Sequence, residues 1–197
     1  DSIETVELFK NMYKAGFLML FFGLESANDR ILSIIEKGCD QATEKRVLEN
    51  SSLAGIWNHL YLFFGFPTEE KHEAQETIDF TVQHSELGDG TIHSVGQSVF
   101  SLEKDSAIYH DPAKFQINRI LRDPERDMAI IFDYEIEKGM TKDEVLDVYE
   151  NFDKTIESNF PSRKTWNYLS REHFLLYLDH YGREEILNMT RPLVQST

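Results

Sequence analysis

Two short segments hold the side chains with the clearest chemical potential. In Phe22-Gly-Leu-Glu-Ser26, Glu25 and Ser26 follow an apolar run, and Lys37 lies eleven residues on, in Glu36-Lys-Gly38. In Phe64-Gly-Phe-Pro-Thr-Glu69, a second apolar run brings Phe63 up to Gly65. A carboxylate accepts hydrogen bonds from a hydroxyl or an ammonium group. A lysine adds a compact positive charge, without the two-pronged geometry of arginine. A glycine lets another group approach the backbone closely. Each residue also has a plainer reading. Glu25 would neutralise a helix N-terminus, Lys37 would be a solvated charge at a helix end, Phe63 would be core, and Gly65-Phe-Pro67 would be a turn.

Other chemistries find less support. Cys39 is the single cysteine, so it forms no intrachain disulfide and supplies at most one ligand to a metal cage. This fits a reducing compartment and leads to the expectation of a cytoplasmic protein. Its default reading is a buried, inert thiol. The seven histidines show no metal-ligand spacing. A formal charge of −15 disfavours nucleic acid as a partner of this chain. No apolar run reaches the roughly 20 residues that span a bilayer, so no membrane contact is expected. With 41% hydrophobic residues there is ample material for a core.

Positioning these side chains requires a regular frame. Val6, Phe9 and Tyr13 mark a helical stripe that ends at Gly16. Leu18–Leu24 has strand length and is apolar on both faces, as in a parallel strand covered by helices. Ser26 is the expected cap of the next helix, and another helix runs from about Gln41 to Ala54. The pattern then repeats: a strand over Trp57–Phe64, a helix capped at Thr68 and closed by Gly88 and Gly90, and a strand over Thr91–Phe100. This rhythm predicts α/β architecture with about three parallel strands. Further on, Ala107–Phe115 reads as a short helix and turn. Ile117–Leu121 and Met128–Tyr134 read as a hairpin joined through Arg122–Arg126. Thr141-Lys-Asp-Glu144 is a capping box opening an amphipathic helix that Pro161 ends, and Ser170 caps another. Two regions are expected: 1–115, and a hairpin and helical appendage over 116–197.

The ordered set of fragments resembles the radical S-adenosylmethionine (SAM) superfamily. Ala15-Gly16 and Ala54-Gly55 precede the two strands. Asn28-Asp-Arg-Ile-Leu32 and Glu36-Lys-Gly38 follow the first signature, and Thr77-Ile-Asp-Phe80 follows the second. The likeness covers roughly the first 115 residues, with a slight lean toward members that carry a cobalamin-binding domain. It implies the C-terminal half of a partial (β/α) barrel, contributing strands four to six of six. The CxxxCxxC loop that holds the 4Fe-4S cluster is absent, and the missing N-terminal half of the same protein is the expected partner. The implied chemistry is reductive cleavage of SAM to methionine and a 5′-deoxyadenosyl radical, serving methyl transfer or oxidoreduction, with cobalamin as a possible second cofactor. By the same resemblance Glu25 and Ser26 belong to the SAM cradle, Lys37 reaches the SAM carboxylate, Phe63 packs on adenine and Gly65 admits close approach. The segment 98–112, with Lys104, Asp105 and Ser106, would lie toward an unidentified small-molecule or peptide substrate. Ala27 and Thr68 stand where glycine is usual in this pattern, and Tyr61 where some members carry a polar residue.

Cut in this way, the first strand would expose an edge, and the expectation is a homodimer through it or a cover from the appendage. The chain opens on Asp1, and sequence upstream is expected to be missing. The rival expectation is a non-catalytic α/β binding or assembly module without the cluster. An unrelated barrel enzyme is a third.

Overall fold

The computed structural model describes residues 5–122, 128–163 and 169–190. Its centre is a parallel sheet of β1 (Met19–Glu25), β2 (Trp57–Phe64) and β3 (Ser94–Val99), in that order. β2 runs down the middle, with Phe21 opposite His59 on one side and Leu60 opposite Val95 on the other. Strand alternation divides β2 between two faces. Asn58, Leu60, Leu62 and Phe64 point one way; Trp57, His59, Tyr61 and Phe63 point the other.

The first face is the core. Leu60, Leu62 and Phe64 pack with Leu48 of α3 (Gln41–Leu53), Ile78 of α4 (Lys71–Gln83) and Phe152 of the long helix α6 (Lys142–Asn159). Their side chains are almost wholly removed from water, each worth about 1.5–3 kcal/mol in transfer terms. One polar side chain sits among them. Asn58 accepts from Ser51 Oγ at 2.7 Å and donates to the Leu48 and Thr91 carbonyls at 2.9 Å, so it tethers α3 and the approach to β3 without an unmet hydrogen bond.

Helix starts deviate from expectation in two places. Asn28, not Ser26, caps α2 (Asp29–Ile34), its Oδ1 accepting from the Arg30 and Ile31 amides at 3.1 Å. Ser26 is buried and turned to Thr77. Glu70, not Thr68, is the N-cap of α4, because the chain spends Thr68 on a left-handed turn at φ 77°. That helix ends at Gln83, before Gly88 and Gly90. The predicted caps Thr141 and Ser170 hold: Thr141 Oγ1 accepts from the Glu144 amide, and Ser170 caps α7 (Arg171–Tyr181).

After β3 the chain forms a small antiparallel sheet in the order β4 (Leu102–Glu103), β6 (Ile131–Ile136), β5 (Ile117–Leu121). Between β4 and β5 lie α5 (Ala107–His110) and a 3-10 turn at Pro112–Phe115. The predicted hairpin is present, though β6 starts three residues later than Met128. Most of its expected connection, 123–127, lies outside the described residues. α6 is not peripheral, because Met140, Val145, Val148, Phe152 and Ile156 belong to the same core as the parallel sheet.

The second face is covered at one end only. α7 and α8 (Arg183–Thr190) bring Phe174, Leu178, Ile186 and Leu187 against Met19 and Trp57. Farther along, Phe21 is 43% and Tyr61 40% exposed, so the doubly apolar run of β1 is not covered on both faces. Among the described residues β1 pairs with β2 alone, which leaves its other edge without a strand. No described helix is long and apolar enough to cross a membrane.

Candidate functional site

The carboxyl end of β1 concentrates the predicted site residues. A register shift between Gly23 and Glu25 breaks the ladder, and Glu25 takes a left-handed backbone, φ 68°. Non-glycine residues hold such angles at a cost, and they gather at functional sites. The turn folds the Glu25 side chain back over Gly23. A Cβ on Gly23 would lie 2.5 Å from Glu25 Oε1 and 3.2 Å from Lys37 Nζ, so glycine there makes room for both charges. Lys37 Nζ meets Glu25 Oε1 at 3.3 Å, with each side chain a little over a quarter exposed. An ion pair this open contributes about 0–1 kcal/mol, and a ligand bearing both charges displaces it at small cost.

Ser26 lies next to this pair but serves the frame. It is fully buried, shares a 3.2 Å hydrogen bond with Thr77 Oγ1 and accepts from the Asn28 amide at 3.1 Å. Phe63 joins an aromatic group, its ring centroid 5.9 Å from Phe66 and 6.0 Å from Phe100. Gly65 turns at φ 83°, but the space of its absent Cβ is taken by Val145, which would be 2.7 Å away. Its amide donates to Glu69 Oε2 at 2.6 Å. Burial pushes the Glu69 carboxyl up to about 7. Of the five predicted residues, the structure therefore brings Glu25 and Lys37 together directly. It sets Ser26 beneath them and places Phe63 and Gly65 at the end of β2.

The segment 98–112 runs from the end of β3 through β4 and α5, joined by turns. Ser106 Oγ donates to the Glu103 carbonyl at 2.8 Å and accepts from the Tyr109 amide, Lys104 bonds through its amide to Ile130, and Asp105 is exposed at φ 64°. A cleft of about 580 Å³ opens beside it, lined by Gly65, Val99, Leu102, Phe132, Tyr134 and Val145. Cys39 is half-buried, and burial together with Glu44 pushes its thiol up to about 11.

Sequence reading missed two features. The first is a clamp between the two signatures. Arg30 grips both oxygens of Glu73, Nε to Oε1 at 2.5 Å, and donates to Thr68 Oγ1 at 3.0 Å and to the Thr68 carbonyl at 2.8 Å. Burial raises the Glu73 carboxyl, but the Arg30 hydrogen bonds, the Glu70 amide and the Arg30 charge together outweigh this and hold it below the usual range. The second is the polar-aromatic lining of the open face. Trp57 Nε1 donates to Ser94 Oγ at 2.9 Å, and Ser94 Oγ lies 2.8 Å from His59 Nδ1. The serine hydroxyl accepts from the indole and has its own proton available for Nδ1. Burial, with Arg171 adding to it, lowers His59 to about 4, so the ring is neutral at pH 7. His59 stands edge-on to Phe21 at 5.0 Å and to Tyr61 at 4.7 Å, and Arg171 lies over Phe21 at 4.9 Å. A Cβ on Gly96 would be 3.0 Å from the Tyr61 ring. The odd-numbered alternation of Trp57, His59, Tyr61 and Phe63 was the available signal.

Two of the implied cofactors, the 4Fe-4S cluster and SAM, fit differently. One cysteine cannot hold a 4Fe-4S cluster, and among the described residues no group of three His, Cys, Asp or Glu is arranged for a metal. An acceptor and a cation side by side at a strand's carboxyl end suit an amino-acid ligand with an ammonium and a carboxylate, as SAM has. No family model matches the chain, and no curated protein matches it either.

Proposed function

We propose that this chain supplies the SAM-binding side of a radical SAM barrel, with the cluster held by sequence outside it. The observation that carries the reading is the Glu25–Lys37 pair, folded over Gly23 where β1 ends. In this reading Glu25 accepts from the ammonium or ribose hydroxyls of SAM, and Lys37 turns to its carboxylate. Phe63 offers apolar surface to adenine. Reductive cleavage of SAM is the chemistry the cofactors would supply. Thr68 adds support: it takes a left-handed backbone at a position where the resembled pattern usually has glycine, and Arg30 holds it there. The cleft beside Val99 and Leu102 would receive an apolar portion of the substrate, and the open edge of β1 is where the remaining barrel strands, or a second copy, would pair.

The test is calorimetric titration of SAM into the chain and into Glu25→Gln and Lys37→Ala variants. Cleavage of SAM is then measured in the longer, cluster-reconstituted protein. Binding that both variants weaken, with cleavage in the longer protein, supports the reading. A longer protein that neither binds nor cleaves SAM overturns it. The second reading, a non-catalytic α/β module, is favoured by the fact that Glu25 and Lys37 already satisfy each other. It predicts no SAM binding and unchanged folding in both variants.

A further inference from the structure

Between β1 and α3 lies a cavity of about 200 Å³ lined chiefly by Phe22, Leu24, Lys37, Glu44, Val47 and Leu48. Its walls are mostly apolar, and it contains one anomaly. Glu44 is only 8% exposed. Its Oε1 accepts from Cys39 Sγ at 3.5 Å, but its Oε2 is buried with no hydrogen-bond partner. Buried polar atoms are nearly always paired, and an orphan costs about 1–3 kcal/mol. Lys37, the cation lining the same cavity, is engaged by Glu25. We propose that this cavity is a binding site for a short alkylammonium group, whose head donates to Glu44 Oε2 and whose methylenes lie against Phe22, Leu24, Val47 and Leu48.

Three features select that chemistry. The volume matches about seven waters of liquid, hence a ligand of roughly five to seven heavy atoms. The apolar walls favour a methylene chain over a polar body. Burial is the main force against a negative charge on Glu44; among its charged neighbours Lys37 favours that charge, and repulsion from Asp29 and Glu25 disfavours it. A cation entering the cavity relieves that repulsion, whereas a carboxylate ligand would add to it. The proposal does not rest on SAM binding: Gly23 and Lys37 are shared with that site, but Glu44 and the apolar walls are not.

Cys39, the only cysteine, borders the cavity and reports on it. Its rate of modification by a methanethiosulfonate reagent at pH 9 is measured with n-butylamine, n-butanol or n-butyrate present. Butylamine should slow labelling about tenfold at roughly ten times its Kd, since only the empty fraction reacts. Butanol and butyrate should have little effect. Glu44→Gln should weaken the amine about 10–100-fold, the range expected when a charged hydrogen-bond partner is lost. Val47→Phe, which fills the cavity from the same helix as Glu44, should abolish protection in a protein that melts normally. The tripeptide N-acetyl-Val-Lys-Val-amide separates the two sources of this chemistry. Protection at far lower concentration than butylamine assigns the site to a lysine side chain on a strand along β1, and equal or weaker protection assigns it to a free amine. No protection by either amine, equal protection by butanol, or undiminished protection in Glu44→Gln overturns the proposal.

Discussion

The two faces of β2 use the same strand for opposite ends. On one, Leu60, Leu62 and Phe64 are sealed by three helices, and the single polar side chain, Asn58, has its hydrogen bonds met. On the other, Trp57 and His59 are sealed, but Tyr61 and Phe63 line a surface that is partly open toward the carboxyl ends of the strands. Side chains on the first face are fixed by packing. Those on the second are held by edge-on ring contacts and a short hydrogen-bond chain, which position groups without filling the space above them. The sheet thus separates stability from binding by strand parity, and the candidate site lies where the second face meets the Glu25 turn.

The sharpest challenge to this division is Phe152→Ala. The side chain is fully buried against Phe64, and its loss should cost about 3–5 kcal/mol in urea denaturation; a cost under about 1 kcal/mol would mean that α6 is not part of the core. Next comes Asn58→Ala, which removes the buried partner of Ser51 Oγ and of the Leu48 and Thr91 carbonyls, with an expected loss of about 2–4 kcal/mol.

Acidity gives a third, smaller effect. Burial pushes Glu44 from its ordinary 4.5 up to about 8, and Glu69 up to about 7. The folded state binds these protons more tightly than the unfolded chain. Their contribution is therefore complete below about pH 4.5 and is lost as pH rises toward 8. Glu73 and Asp89, held below their usual range, act in a different window, losing stability as pH falls through their folded values. Melting temperature should fall between pH 5 and pH 8.5, and Glu44→Gln should restore about 1–3 kcal/mol at the upper end; a flat profile would place Glu44 in water. The smallest effect belongs to the open face. Phe21→Ala should cost under about 1 kcal/mol, mostly its contact with Arg171, while weakening any ligand that lies on that face. A large stability loss there would erase the contrast between the faces.

The frame was largely legible in the sequence because strands and caps are local. Trp57–Phe64 declares itself by composition, and the Thr141 capping box by four residues. Ser26 and Asn28 are both good caps, and only the burial of Ser26 against Thr77, fifty-one residues away, decides between them. Separation in sequence also hides the Arg30–Glu73 clamp and the filling of the Gly65 notch by Val145. Glu25 and Lys37 were marked by motif, but their mutual contact depends on a left-handed residue that no local pattern announces. β4, two residues long, carries no signal of its own.

The Val145 side chain in the Gly65 notch also bears on how the molecule is made. Met140 donates its amide to the Glu69 carbonyl, and α6 then lays its apolar stripe on the sheet. β1 and β2 emerge from a ribosome long before residues 140–160, and until then their core face has α3 and α4 but lacks α6. Early intermediates would present a wet, adhesive sheet with one edge already unpaired, a state in which chains seek one another. Completion of the nascent fold therefore waits on a late helix, and a stop just before it would yield aggregation in place of a smaller stable protein.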